Sequence, residues 1–398
     1  MTLLNGDAGA NAHDDGLAIR AVDEMFDAAI RTGASDLHIE PTKGGGRIRQ
    51  RVDGVLREPQ SISNELLTRV LSRIKLLAGM DIADRRMPQD GRYTFSRPGG
   101  ERDARVSSIP TVDGEKLAIR LLDTRARFTA LESLGMLGGM ATRFRRCVRA
   151  ATGFVIVCGP TGCGKTTTFY AALAERNAAG LQVCSVEDPV ETRLDGVAQV
   201  QVNVRAGLTF ATALRAFLRQ DPDAISIGEV RDAETAEVAS SAALCGQLVL
   251  STLHSNDSLG AFERLSELGL SHRRIGACVT AVLSQRLLRL LCSVCKRPAR
   301  AGDAGSWFGL EPEAEVAEPV GCRQCAGVGY AGRRGVFELI LVTADLRGAI
   351  EMQAPRQALM AAAATAGYQP MAAAAARLIL QRDSSVAEAA RIFASVAA

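Results

Sequence analysis

Net charge is nearly absent from this sequence: 47 basic side chains face 44 acidic ones, leaving +3 over 398 residues. A nucleic-acid coat or a polybasic membrane binder needs a far larger basic excess, so both classes are excluded. Long apolar runs are missing too. The longest stretch without a charge, Gln357 to Ala376, is mostly alanine and contains Gly367 and Pro370, which excludes a membrane span there. Residues 1–16 are polar and acidic, with neither a basic n-region nor an apolar h-region. No secretory signal is therefore expected, and the chain is expected in the cytosol. Lysine is scarce: Lys43, Lys75, Lys116, Lys165 and Lys296 are the only five, every other basic residue being arginine. In a chain that uses arginine wherever it will serve, a surviving lysine is mildly informative.

What is present is the balance of a globular protein. Hydrophobic residues make up 47% and charged ones 23%, enough to bury a sizeable core, and the length implies two or three domains. Six of the ten cysteines (147, 158, 163, 184, 245 and 278) are scattered among apolar residues and read as reduced, buried structural thiols. The other four form Cys292-x-x-Cys295 and Cys322-x-x-Cys325, with 26 residues between the pairs. That is zinc-site spacing.

Residues 17–33 read as a helix ending at Gly33. Alternating strands follow around Leu37–Ile39 and Ile48–Val52, with Asp53-Gly54 as a tight hairpin turn before Val55 and Leu56. Leu67, Val70, Leu71, Ile74 and Leu77 recur at helical spacing behind the cap candidates Ser63 and Asn64. Strands are expected at Tyr93–Ser96, Arg102–Ile109 and Lys116–Leu122, so 17–123 forms one α+β domain, with a linker after it. From Thr152 the pattern becomes strand, loop, helix, with apolar runs at Phe154–Cys158, Val183–Val186, Ala224–Ile227 and Leu248–Thr252. That alternation predicts a parallel sheet with covered faces. The stretch carrying Glu311, Glu313, Glu315 and Glu318 reads as an exposed acidic loop, and 336–398 as helical.

Gly159-Pro160-Thr161-Gly162-Cys163-Gly164-Lys165-Thr166 fits G-x-x-x-x-G-K-[ST], after a strand and at the start of a helix. Glycines let backbone N–H groups point at phosphates, and the helix N-terminus adds positive potential. Lys165 would reach the β/γ-phosphates, and the Thr166 hydroxyl would ligate Mg²⁺. Glu187 and Glu191 lie just past a strand end. Glu229 follows another buried strand, where a carboxylate can orient an attacking water. His254 ends the next strand. A lone histidine is more often structural, yet this one falls on the same sheet edge.

These motifs, with Ser35-Asp-Leu-His-Ile-Glu-Pro41, Pro88-Gln-Asp-Gly-Arg92, Thr167-Thr-Phe-Tyr170, Glu187-Asp-Pro-Val-Glu191, Gly228-Glu-Val-Arg-Asp232, Leu250-Ser-Thr-Leu-His-Ser-Asn-Asp257 and Gln285-Arg-Leu-Leu-Arg289, stand in one order. In that order the chain resembles the type II secretion and type IV pilus assembly ATPases over nearly its whole length. The resemblance implies an α/β fold: a RecA-like P-loop NTPase core preceded by a smaller α+β (PAS-like) domain, with a tetracysteine zinc module and a helical C-terminal region. The expected divisions are a tail at 1–16, the α+β domain at 17–123, a linker at 124–139, the core at 140–288, the zinc module at 289–335 and the helical region at 336–398. It implies Gly159 to Thr167 on ATP, Glu229, Glu187 and His254 as catalytic residues, and Thr166 on Mg²⁺. Arg105, Arg120, Arg215 and Arg219 match arginines that reach nucleotide in an assembled ring. Cys292, Cys295, Cys322 and Cys325 would hold Zn²⁺ as a structural knob, since the module is acidic and has only Trp307, Phe308 and Tyr330 as aromatics.

The implied function is a cytoplasmic hexameric ATPase that powers assembly of pilus or pseudopilus subunits. It would sit peripheral to the inner membrane through a platform protein, with no nucleic-acid partner. Retraction-type members generally lack the cysteine module. An ATPase of a DNA-uptake or conjugative pilus, a nucleic-acid motor and a silent ATP-binding scaffold remain as rivals. The chain departs from the family at three positions: Cys163 and Gln247 stand where Ser and His are common, and Arg382, where Gly often stands, reads as neutral. With only about sixteen residues before the first helix, the extra N-terminal docking domain of many members is not expected.

Overall fold

Gly33, with a left-handed φ of 66°, stops the first helix where the sequence predicts, but α1 (Asn11–Thr32) begins earlier than residue 17. The residues before Gly16 are polar and carry no apolar period, so periodicity could not reveal the extra turns. The computed structural model describes residues 11–57, 60–97, 100–122, 130–177 and 180–394; the first ten residues of the tail and positions 124–129 of the linker lie outside these. Two compact units result, Met1–Ala126 and Arg127–Ala398.

The first unit continues with β1 (Ala34–Thr42), β2 (Gly45–Val52), β3 (Val55–Leu56) and β4 (Gln60–Ile62). Then come α2 (Asn64–Leu77), β5 (Gln89–Arg97), β6 (Gly100–Thr111) and β7 (Gly114–Leu122). Asp53 and Gly54 both take positive φ, the turn that a two-residue hairpin between twisted strands requires. Ser63 caps α2 by accepting from the Leu66 N–H. The strands pair antiparallel in the order β3-β2-β1-β7-β6-β5, with β4 on β2. Alternation sends Leu37, Ile39, Val106 and Ile119 to one face, against Val22 and Phe26 of α1 and Val70 and Ile74 of α2. The other face takes the polar residues. There Arg92, Arg105, Arg120, Asp36 and Arg51 stand directly opposite one another across five strands.

The second unit opens with α3 (Met140–Val148), β8 (Gly153–Cys158), α4 (Lys165–Arg176), β9 (Val183–Glu187) and β10 (Val197–Gln201). It continues through α5 (Phe210–Phe217), β11 (Ala224–Ile227), α6 (Ala233–Leu244) and β12 (Leu248–Leu253). Then come α7 (Gly260–Glu267), α8 (His272–Cys278), β13 (Val279–Leu291), β14 (Arg297–Arg300), β15 (Glu315–Glu318) and β16 (Tyr330–Leu341). Four helices close it: α9 (Ala344–Glu351), α10 (Arg356–Thr365), α11 (Met371–Leu380) and α12 (Val386–Phe393).

The sheet runs β10-β9-β11-β12-β8-β13-β16, parallel up to β13, with β16 antiparallel at the edge. Strands β8, β9, β11 and β12 are buried along their whole length, which is why they read as unbroken apolar runs. Phe154, Ile156 and Cys158 pack with α5 and α6, while Val155 and Val157 pack with α3 and α4.

Three expectations need correcting. Residues 336–341 belong to β16, not to a helical region, because an apolar run of that length fits a strand or a helix equally by pattern. Glu315–Glu318 is not loop but β15, paired with β14. Arg297 stands opposite Glu318 and pairs with it at 2.5 Å across the two strands, while Glu315 pairs instead with Arg382. Of the scattered cysteines, Cys158, Cys163, Cys184 and Cys278 are buried, but Cys147 is only half-buried and Cys245 is exposed, the latter because it caps the C-terminus of α6.

Candidate functional site

At the C-terminal edge of the parallel sheet, β8 ends at Cys158 and the chain turns through Gly159, Gly162 and Gly164, all with positive φ. A Cβ on Gly159 would lie 2.6 Å from the Cys163 sulfur and 2.7 Å from the Gln285 carbonyl oxygen, so only glycine fits. Gly164 is the N-cap of α4 and has no side chain to offer, which leaves the first-turn N–H groups to an incoming acceptor. Thr161, Thr166 and Thr167 are exposed around this turn and Pro160 is half-buried. Lys165 folds back over the loop, its Nζ donating to the carbonyls of Gly159 (2.7 Å) and Pro160 (3.0 Å). Burial lowers its pKa.

Glu229, just beyond β11, accepts from Arg231, and its other oxygen lies 3.3 Å from His254 Nε2, just beyond β12. Burial pushes the Glu229 carboxyl up, but the Arg231 hydrogen bond and the charges of Arg231 and His254 outweigh it and keep it below its ordinary value. The His254 imidazole is pushed down, first by burial and then by the Lys165 charge, so it is neutral around pH 7. Lys165, Glu229 and His254 thus share one edge, as the sequence predicts.

Glu187 has a different setting. It is 3% exposed and accepts from Ser185 Oγ (2.7 Å), Gln199 Nε2 (3.0 Å) and the Tyr170 hydroxyl. That hydroxyl in turn accepts from the backbone N–H groups of Glu191 and Thr192, both at 3.1 Å. Glu187 therefore ties α4 to the loop after β9. Arg215 pairs with Glu234 at 2.6 Å and Arg219 donates to the Arg215 carbonyl, both at the α5 end of the unit. Arg105 and Arg120 face each other on β6 and β7, and Arg120 pairs with Asp36 at 3.1 Å.

Tyr170, Gln199, Arg231, Gln285 and Arg286 brace the site, and all but Gln199 lie inside the motifs Thr167–Tyr170, Gly228–Asp232 and Gln285–Arg289.

The four paired cysteines converge, their Sγ atoms all within 4.8 Å of one another. Three neighbouring separations are 3.9, 3.8 and 3.8 Å. A tetrahedron of sulfurs at the usual zinc distance has edges of ~3.8 Å. The N–H groups of Gly321, Cys322 and Gly329 donate to Cys295 and Cys325 sulfurs, a setting that favours thiolate. The donor set fits zinc.

The profile of the type II/IV secretion system protein family matches residues 11–391. The chain belongs to that family. It is 42% identical over 382 residues to the type II secretion system protein HxcR of Pseudomonas aeruginosa, covering 96% of this chain and 78% of that one. It is 39% identical over 387 residues to the type IV pilus assembly ATPase PilB of Acinetobacter baylyi, covering 95% and 67%. The solved structure of the Legionella pneumophila ATPase DotB superposes with a TM-score of 0.68 at 20% identity, covering 94% of this chain and 96% of that one, which shows a shared fold.

The departures of this secretion-family chain from the motifs it resembles have clear settings. Cys163 is buried, and its carbonyl accepts from Gln285 Nε2 at 2.8 Å, so it serves the loop through its backbone. Gln247 precedes β12, at the sheet edge away from the loop. Arg382 is not neutral. It takes φ 59° just after α11, where its N–H bonds Ile379 O and the Asp383 N–H bonds Leu378 O, the paired bonds of a helix end that favours glycine. Its carbonyl also receives Lys296 Nζ at 2.6 Å. Lys75 (on Glu115, 2.8 Å), Lys116 (on Glu40, 3.0 Å) and Lys165 are likewise engaged, so four of the five lysines hold specific partners.

Proposed function

We propose that this secretion-family chain is an ATP hydrolase that works as a homohexameric ring in the cytoplasm. Peripheral to the inner membrane through a platform protein, it powers assembly of type IV pilus or pseudopilus subunits in type II secretion or pilus biogenesis. The observation that carries this reading is the convergence of Lys165, Glu229 and His254 at the sheet edge beside an uncapped helix N-terminus.

Lys165 exchanges two loop carbonyls for the β/γ-phosphates, and the free N–H groups of α4 add to that cradle. The exposed Thr166 hydroxyl and the ionised Glu229 offer the hard oxygen donors that suit Mg²⁺, an ion that neutralises phosphate charge when bound. Glu229 accepts a hydrogen bond from the attacking water, and neutral His254 donates toward the γ-phosphate. Glu187 positions the neighbouring loop. Arg105, Arg120, Arg215 and Arg219 supply positive charge in the assembled ring. Cys292, Cys295, Cys322 and Cys325 hold zinc as a closed structural site.

Purified protein should release phosphate from ATP in the presence of Mg²⁺. Lys165→Ala should lose binding of a fluorescent ATP analogue and all turnover. A wild type that releases no phosphate, or a Lys165→Ala variant that binds and turns over normally, overturns the reading.

A further inference from the structure

Behind the loop, β13 runs parallel to β8 with Ser284 opposite Cys158, which brings Gln285 and Arg286 level with the start of the glycine-rich turn. Arg286 is 3% exposed. Its Nη1 donates to the Gln285 carbonyl at 3.1 Å, its Nη2 donates to the Asn256 carbonyl just after His254, and its Nε is buried with no partner. A Cβ on Gly159 would sit 3.4 Å from Nη1, so the guanidinium lies directly against the loop backbone.

Among the described residues no carboxylate forms an ion pair with it. The acids that act on it from further away, Glu338 and Asp257, are already engaged. Glu338 accepts from Ser258 N (2.8 Å), Ser258 Oγ (2.7 Å), Tyr368 Oη (3.0 Å) and Met371 N (3.1 Å). Asp257 accepts from Arg356 and from Gly260 N (2.7 Å). A buried guanidinium that makes no ion pair of its own is costly to keep charged, and negative charge brought beside it by a ligand offsets part of that cost. A phosphate-binding turn receives such a ligand, which brings several negative charges into a region of low dielectric.

We propose that Arg286 is a positioning residue for the polyphosphate, acting through the backbone of the Gly159–Lys165 turn: its charge raises the potential inside the turn, and its bond to Asn256 holds the His254 segment beside it. The inference rests on the reading of this turn as a nucleotide site. Its signature is dependence on phosphate number, since a charge behind the turn acts on phosphates and not on the base.

The test is equilibrium binding of ATP, ADP and AMP to wild type, Lys165→Ala, Arg286→Gln and Arg286→Lys. Arg286→Gln should weaken ATP by roughly tenfold or more, ADP by less and AMP by about twofold at most, with Arg286→Lys recovering most of the ATP affinity. Equal losses for all three nucleotides, or ATP affinity unchanged in Arg286→Gln, overturn the proposal while the reading of the site stands on Lys165→Ala. Should Arg286→Gln lose cooperative unfolding, Arg286→Lys decides: ATP affinity within several-fold of wild type supports the charge role, and parallel losses for all three nucleotides overturn it. A wild type that binds no ATP ends both readings.

Discussion

Two carboxylates stand at the ends of neighbouring strands, and their surroundings separate them. Glu187 is enclosed by three donors from Ser185, Gln199 and Tyr170, so its oxygens are committed to holding α4 and the loop after β9. Glu229 is half-buried and ionised, with Arg231 and His254 as partners that an arriving phosphate could exchange for its own oxygens. The sequence puts both residues at strand ends but carries no signal for which one faces inward, because that depends on partners far along the chain. Glu229→Gln keeps the size of the side chain but removes its charge and replaces one of its two accepting oxygens with a donating NH2. It should leave ATP affinity within several-fold while lowering kcat by roughly 10² or more, as expected for a lost water-orienting group. Nucleotide binding by fluorescence and single-turnover phosphate release separate the two quantities. Wild-type turnover in this variant would remove Glu229 from the chemistry.

At the scale of elements, most of the fold was legible because period and turn residues agree. The hairpin at Asp53-Gly54, the cap at Ser63 and the four buried parallel strands each follow from a local rule. What was not legible depends on distant partners. β16 is a strand because β13 pairs with it, and β15 because β14 pairs with it, with Arg297 on Glu318 across the pair. The cysteine module is the intermediate case: spacing named its four ligands, while the fold brings their sulfurs within 4.8 Å. Cys292 lies just beyond β13 and Cys325 before β16, so the module closes the loop between two strands of the main sheet. Metal analysis of purified protein should therefore find about one zinc per chain. Ser replacement at any of the four should release it and raise hydrogen exchange across residues 289–335. Nucleotide binding should persist, since the Gly159–Lys165 turn draws its bracing from Gln285 and Arg286, on the other side of that boundary. A quadruple Ser variant that still carries zinc would contradict the site.

The whole molecule raises a question of charge. In phosphoryl transfer the γ-phosphate gathers negative charge in the transition state, and an additional arginine is worth roughly 10³-fold or more in related sites. Within the second unit Lys165 is poised to meet that charge, while Arg231 is bound to Glu229 and Arg215 to Glu234. The first unit carries Arg105 and Arg120 directly opposite each other on β6 and β7, in a row of basic residues across its polar sheet face. We expect a ring to bring this row to a nucleotide, so that activity depends on assembly. Activity per chain should then rise steeply with protein concentration, together with the fraction of assembled particles in sedimentation. Arg105→Ala and Arg120→Ala should lower kcat while sparing ATP binding, because the charge they supply matters most in the transition state, as the γ-phosphoryl passes from ADP to water. Mixing Lys165→Ala chains with Arg120→Ala chains should restore part of the activity if the arginine acts across an interface, since some interfaces then pair an intact lysine with an intact arginine. Arg120 has a second tie, its 3.1 Å pair with Asp36, so a fall in thermal stability would accompany Arg120→Ala even if it had no part in turnover. Complementation in the mixture is therefore the decisive readout, because a loss of stability alone gives no reason for activity to return only when an intact lysine meets an intact arginine. Constant specific activity from dilute monomer to concentrated protein, with both arginine variants at wild-type kcat and no recovery on mixing, would place the whole of the chemistry within one chain.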